Sequence, residues 1–241
     1  MAFPFNVSDN TPVLSDSHIG WADWQEDVIP GVCREWLPLQ TSILVKDEGM
    51  HIQLASPDAF LFTVNSPVMG KWSSDLNVRG GDIYSFVLNN YWHTNYLGEQ
   101  GGTFVFKYAL TTARDIQPET AFRYGWTKRR AAVAQRMSYQ EFRHDVPEHL
   151  LDASGSVLMQ VESDHIVVNT IRASKKERGA YLFRLLETGG RAGEISISMP
   201  GKKIVAMQDV DHLERPLGEK HVPGAITMTP WQLRSVMVWF E

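Results

Sequence analysis

Along much of this chain apolar and polar side chains alternate with a period of two, the spacing that puts one set on each face of a β-strand. The clearest case is Glu194-Ile195-Ser196-Ile197-Ser198-Met199, ended by Pro200-Gly201. Over residues 103–110 the same spacing sets Phe104, Phe106, Tyr108 and Leu110 on one face. Residues 83–88 and 166–171 are β-branched and aromatic runs, 181–186 reads as a buried strand, and 233–240 as a last strand that ties down the C-terminus. Turn signals recur between these runs at Gly80-Gly81, Gly101-Gly102, Gly189-Gly190 and Pro223-Gly224. Short strands punctuated in this way predict antiparallel β-sandwiches with little helix. Residues 120–137, rich in Ala, Arg and Gln without alternation, predict the one helix, and residues 140–151 a further short helical turn.

The pattern divides the chain into residues 1–110, a β-sandwich part with an irregular N-terminal arm, 111–153, a linker with a helix, and 154–241, a small C-terminal β-sandwich. The arm, residues 1–40, carries Trp21, Trp24 and Trp36 among prolines and acids and shows little strand pattern. An isolated domain seldom opens on so long an irregular stretch. The arm therefore predicts a packing partner upstream in a longer chain or in another subunit.

Composition narrows the function classes. The chain has 241 residues, enough for a real core, and a net charge of −5. Phosphate binding needs a basic face, so nucleic acid is an unsuitable partner. The basic run Lys128-Arg129-Arg130 is short and reads as a solvated helix face. Cys33 is the one cysteine, so no intrachain disulfide forms, which fits a reducing compartment. The first residues lack a basic, then apolar, secretory leader. No apolar run approaches the roughly 20 residues that span a bilayer. These features predict a cytoplasmic protein with no membrane partner.

Several residues carry candidate chemistry. Asp209-Val210-Asp211-His212-Leu213-Glu214 is the densest ligand-type cluster. Its spacing suits neither a closed zinc site nor a calcium loop, and reads as a polar strand end with caps and ion pairs. Cys33 has no catalytic surroundings in sequence and reads as a small packed residue. Gly189-Gly190-Arg191-Ala192-Gly193 lacks the Lys-Ser/Thr of a phosphate loop and reads as a hairpin turn. Asp58, after a strand and Pro57, either faces a cleft or caps a turn. Asn89-Asn90-Tyr91-Trp92-His93-Thr94-Asn95-Tyr96 packs amides, aromatics and an imidazole into one loop. Sugar sites use this mixture, rings stacking on C–H faces and amides bridging neighbouring hydroxyls. A packing loop between domains is the alternative.

That loop also carries a resemblance. Tyr84-Ser85-Phe86-Val87-Leu88-Asn89-Asn90-Tyr91-Trp92-His93-Thr94-Asn95 resembles a segment in the C-terminal half of glycoside hydrolase family 38, the α-mannosidases. Gln100-Gly101-Gly102-Thr103-Phe104-Val105-Phe106-Lys107-Tyr108-Ala109-Leu110 and Ile52-Gln53-Leu54-Ala55-Ser56-Pro57-Asp58-Ala59 are similar to that family too. Leu182-Phe183-Arg184-Leu185-Leu186-Glu187-Thr188-Gly189-Gly190 resembles its R-x-x-E-x-x-G strand and turn. Asp211-His212-Leu213-Glu214-Arg215-Pro216 and Met228-Thr229-Pro230-Trp231-Gln232-Leu233-Arg234-Ser235 resemble its terminal strands. The ordered set runs from about residue 27 to the end of the chain.

The resemblance implies part of a galactose-mutarotase-like super-sandwich followed by a smaller terminal sandwich. Nothing resembles the family's catalytic barrel or its His-x-Asp metal motif, so no catalytic residue and no metal ligand carries over. Zinc is expected only in a catalytic domain absent from this chain, and no cofactor is expected in the chain itself. Asn90, Trp92, His93, Asn95 and Asp58 are then the candidates for contact with a mannoside at the rim of the active site. The partners implied are that carbohydrate and the catalytic domain or chain of the same enzyme. The leading reading is a non-catalytic C-terminal β-domain of an α-mannosidase-like glycoside hydrolase. A stand-alone carbohydrate-binding β-sandwich is the alternative. An autonomous hydrolase with an unrecognised carboxylate pair and an unrelated interaction scaffold are weaker rivals.

Overall fold

In the computed structural model the described residues are 1–17, 20–68, 75–89, 98–130, 160–199 and 201–241. The fold is mainly β, with four antiparallel sheets and one helix among the described residues. Among the described residues no sheet closes into a barrel. The chain forms two compact units, residues 1–131 and 132–241. The division falls inside the 111–153 stretch.

In unit 1 a five-stranded sheet contains β2 (Val13–Ser17), β3 (Gly20–Asp23), β5 (Ser42–Asp47), β6 (Met50–Ala55) and β9 (Ala109–Ala113), in the order β3-β2-β5-β6-β9. A four-stranded sheet contains β1 (Ala2–Pro4), β4 (Leu37–Pro38), β7 (Leu61–Val64) and β8 (Asp82–Phe86), in the order β1-β8-β7-β4. Alternation in β5 and β6 explains the layering. Ile43, Val45, Ile52 and Leu54 enter a core with Phe62, Val64 and Ile83 of the other sheet. Leu44 points the opposite way and packs with Ile116 and Ala121. Ala121 belongs to α1 (Pro118–Arg129).

The helix is therefore part of unit 1 and not a linker. Gln53 Nε2 donates to Ala121 O at 2.6 Å and to Ser42 Oγ at 2.9 Å. Pro118 supplies a preset first-turn φ, Glu119 faces the positive end of the helix, and Lys128 and Arg129 face the negative end. Gly125 allows close approach, because a Cβ there would lie 2.2 Å from Thr41 Oγ1. The expected extension over residues 130–137 and the turn over 140–151 lie, apart from Arg130, outside the described residues. Arg130 itself caps the helix in extended conformation.

Two further expectations need correction. Residues 1–40 are less irregular than expected, since they supply β1 to β4, with β2 interior to its sheet. Trp21 Nε1 donates to Pro118 O at 3.1 Å and Trp24 Nε1 to Ser15 Oγ at 2.6 Å. The polar residues that hid these strands, Ser15 and Asp16, are buried and hydrogen-bonded. The strand expected from residue 103 begins only at Ala109. Ahead of it, Lys107 N donates to Asp58 Oδ2 at 2.8 Å instead of to a neighbouring strand.

Unit 2 is a smaller sandwich. One sheet orders β11 (Ile166–Ala173), β12 (Ala180–Glu187), β16 (Leu233–Phe240) and β14 (Ile204–Val210) as β11-β12-β16-β14. The other orders β10 (Gln160–Glu162), β13 (Gly193–Ser198) and β15 (Ile226–Met228) as β10-β13-β15. Ile166, Phe183, Leu185, Ile195, Met207, Met228, Val236 and Val238 fill the space between the sheets. The far face of the larger sheet also buries Ala180, Leu182, Val210 and Met237. Residues 211–221 meet that face, with Gln208 Nε2 donating to Gly218 O at 2.7 Å and Lys220 Nζ lying 3.9 Å above the Trp239 ring. The Gly189–Gly193 turn is not a hairpin, because β12 and β13 belong to different sheets. No helix among the described residues is long and apolar enough to cross a membrane.

Candidate functional site

The β6–β7 connection positions Asp58. Ser56 Oγ donates to Ala59 O at 2.6 Å, and Ser56 N to Thr41 O at 2.8 Å. Asp58 stands exposed on this turn and accepts Lys107 N. In the β7–β8 pairing Leu61 lies opposite Phe86. The entry to β7 and the exit of β8 thus share one end of the sheet. That is the end from which the chain runs on through Asn89 toward residues 90–97. Asn90, Trp92, His93 and Asn95 lie outside the described residues. The flanks of their loop are tied down: Tyr108 Oη donates to Ser85 Oγ at 2.9 Å, and the Trp36 and Phe86 rings meet edge-on at 4.7 Å.

A cavity of about 270 Å³ lies nearby, lined by Asp16, Ser17, Pro38, Leu39, Gln40, Phe60 and Arg129. Asp16 is 1% exposed. Its Oδ1 accepts Gln40 N at 3.0 Å, Thr41 N at 2.8 Å and Ser42 N at 3.0 Å, and its Oδ2 accepts the Thr41 hydroxyl. Burial pushes its carboxyl above the usual range, and the hydrogen bonds from Thr41, Ser42 and Gln40 oppose that rise. Sequence reasoning passed over these residues. The available signal was an acid in Leu14-Ser15-Asp16-Ser17, where a β pattern would place an inward side chain.

In unit 2 the Asp209–Glu214 cluster is a set of ion pairs and caps. Arg234 grips Asp209 with two N–H groups, Nε to Oδ1 and Nη2 to Oδ2, each at 2.7 Å. Those bonds hold the Asp209 carboxyl below its ordinary value. Asp211 accepts Leu213 N at 2.8 Å and Arg215 N at 2.9 Å and pairs with the Arg215 side chain, so its pKa falls to about 2. Glu214 is buried in a left-handed backbone conformation, φ 61°. It accepts Ser174 Oγ at 2.7 Å, Arg172 and Lys175 N, and these partners, Ser174 foremost, lower its pKa. A cavity of about 500 Å³ borders Asp209, Asp211, His212, Gln232, Arg234 and Ser235. Both carboxylates there already have cationic partners, Arg234 for Asp209 and Arg215 for Asp211. Among the described residues no group of three or more His, Cys, Asp or Glu is arranged to hold a metal ion.

The segments that carry the family resemblance in unit 2 meet one another. Glu187 is fully buried, and its carboxylate accepts Gly189 N at 2.6 Å, Gly190 N at 2.9 Å and Trp231 N at 2.7 Å. Gly190 has φ 69°, and a Cβ on it would strike the Trp231 ring at 2.5 Å. Arg184 Nη2 donates to His212 O at 2.8 Å, joining the third segment. The R-x-x-E-x-x-G residues thus act as structural clamps.

No protein-family model and no curated protein matches the sequence. Solved structures match the fold. An α-mannosidase from Enterococcus faecalis V583 aligns with a TM-score of 0.64 at 12% identity, over 98% of this chain and 25% of that one. A protein in glycosyl hydrolase family 38 from Enterococcus faecalis aligns with a TM-score of 0.63, also at 12% identity and with the same coverage. At this identity the likeness is one of fold. The chain spans about a quarter of the length of these structures.

Proposed function

We propose that this chain serves as a non-catalytic β-domain of an α-mannosidase-like glycoside hydrolase. In this reading it supports carbohydrate binding and hydrolysis by a catalytic domain that it does not contain. The observation that carries the reading is the coverage. Nearly the whole chain superimposes on a quarter of an α-mannosidase, and that quarter alone. The clamps at Glu187 and Glu214 fit this reading, since backbone N–H groups, a hydroxyl and an arginine already engage their carboxylates. Zinc and the acid–base residues would reside in the catalytic domain.

In the same reading, Asn90, Trp92, His93, Asn95 and Asp58 would reach the sugar at the rim of the active site. A rigid β-domain suits that role, since a rim residue held in place orients the leaving sugar at little entropic cost. Residence in the cytoplasm accords with the lone Cys33.

The test is hydrolysis of a chromogenic α-mannoside with zinc present. The chain alone should be inactive, and mixing it with a family 38 catalytic domain should raise turnover. Robust turnover by the chain alone would overturn the proposal. In the reassembled enzyme Trp92→Ala should lower turnover roughly tenfold or more, the scale of a lost stacking and positioning contact, while the melting temperature holds. An equal loss of both would make the loop structural.

A further inference from the structure

We propose that the C-terminal end of α1 is a docking surface for a carboxylate-rich segment of a partner protein. Lys128, Arg129 and Arg130 are consecutive and exposed. No carboxylate among the described residues pairs with any of them. The described acid of the helix itself, Glu119, sits in the first turn, at the other end. Asp16 lines a cavity with Arg129, but its oxygens are occupied by Gln40, Thr41 and Ser42.

The cations are not splayed into solvent. The Arg129 guanidinium lies 4.9 Å from the Phe60 ring centre and 5.9 Å from that of Trp126. Arg130 lies 4.5 Å above Trp126, and Lys128 4.9 Å above Tyr124. Arg129 also donates to Gln40 O. Stacking fixes the plane of a guanidinium and leaves in-plane N–H groups free to grip a carboxylate with two parallel bonds. Phe60 and Leu61 are 44% and 38% exposed, and supply an apolar margin next to the charges. Arginines and aromatics together are the residues enriched at protein interfaces.

Charge decides between partners. The chain carries −5 overall, so this patch is a local reversal of sign. An extended polyanion would run past the three cations within a few phosphates. A short acidic segment with two or three carboxylates ends where the cations end. This inference stands apart from the sugar reading and holds whether or not the chain serves a mannosidase.

The test titrates the full chain with a fluorescent poly-glutamate peptide and reads anisotropy. Tight binding that weakens with salt is expected. The double substitution Arg129→Gln/Arg130→Gln should weaken it roughly tenfold, the scale of lost charge-assisted contacts. Arg178→Gln/Lys202→Gln, at exposed positions in unit 2, should leave it unchanged. Arg129→Lys/Arg130→Lys keeps the charge without the stacked plane and should restore only part of the affinity. All variants should fold, because the altered side chains are exposed, and near-UV circular dichroism checks this. Equal affinity of the wild type and the Gln variant would overturn the proposal. So would full rescue by lysine, or tighter binding of a short DNA duplex that is lost in the same Gln variant.

Discussion

The two units anchor carboxylates with opposite chemistry. Unit 1 sinks Asp16 beneath backbone N–H groups and a hydroxyl with no cation, and its carboxyl is pushed toward the neutral form. Unit 2 pairs Asp209 and Glu214 with Arg234 and Arg172, and theirs are pulled toward the charged form. A hydrogen-bonded buried acid tolerates protonation, whereas protonation of an ion-paired acid removes the charge–charge attraction and leaves its cation uncompensated. The comparison teaches that two neighbouring units of one fold class can respond oppositely to acid.

The largest expected effect is on the unit 2 clamp. Glu187→Ala strands three backbone N–H groups around a buried site, at a cost of about 3 kcal/mol or more. Hydrogen exchange should show protection falling across residues 160–241 and holding across 1–130. Comparable loss in both units would break the comparison.

Next comes Gly125→Ala. The gain in helix propensity is about 1 kcal/mol, but the new methyl meets Thr41 and Ser42 hydroxyls that Gln53 and Asp16 already fix in place. A net loss of about 1–3 kcal/mol, confined to unit 1, is expected from urea denaturation. A stabilised variant would mean that the helix rides loosely on its sheet.

Acid should separate the units more gently. Depressed carboxylates stabilise above their unfolded pKa and lose that contribution as pH falls through the folded value. Unit 2 should therefore weaken below about pH 4. Asp16 works the other way: its contribution is full below 3.8 and fades as pH rises through its elevated folded value. Between pH 7 and pH 3, protection factors corrected for the intrinsic exchange rate at each pH should fall more in unit 2 than in unit 1. Arg234→Gln should shrink the acid response of unit 2, and Asp16→Asn should deepen that of unit 1. The smallest effect is Asp58→Ala, about 0.5 kcal/mol or less for one exposed hydrogen bond, read as a slight shift in unit 1 melting.

Strands with clean alternation were legible in the sequence, and residues 233–240 coincide with β16. The arm was misread for one reason. Ser15 and Asp16 look like solvent-facing residues, yet each meets partners more than 20 residues along the chain, at Pro38 and at residues 40–42. Such pairings are long-range and leave no local period. The strand expected from residue 103 failed similarly, since the Asp58 carboxylate takes a bond that alternation assigns to a neighbouring strand. In the candidate site, the aromatic and amide content of residues 89–96 was plain in sequence, and the stacked cations were not. Lys128-Arg129-Arg130 reads as a solvated face until the fold brings Phe60 beneath Arg129.

The position of β2 between β3 and β5 carries a practical consequence. An expression boundary drawn after residue 40, to trim what looks like a dispensable leader, would remove an interior strand. The row of backbone amides on β5 would then be bare and apolar-flanked, with Leu44 and Val45 beside it. Bare edges of this kind recruit strands from other molecules. A shortened chain should therefore collect in inclusion bodies, and supplying residues 1–40 in trans as a peptide should return it to solution.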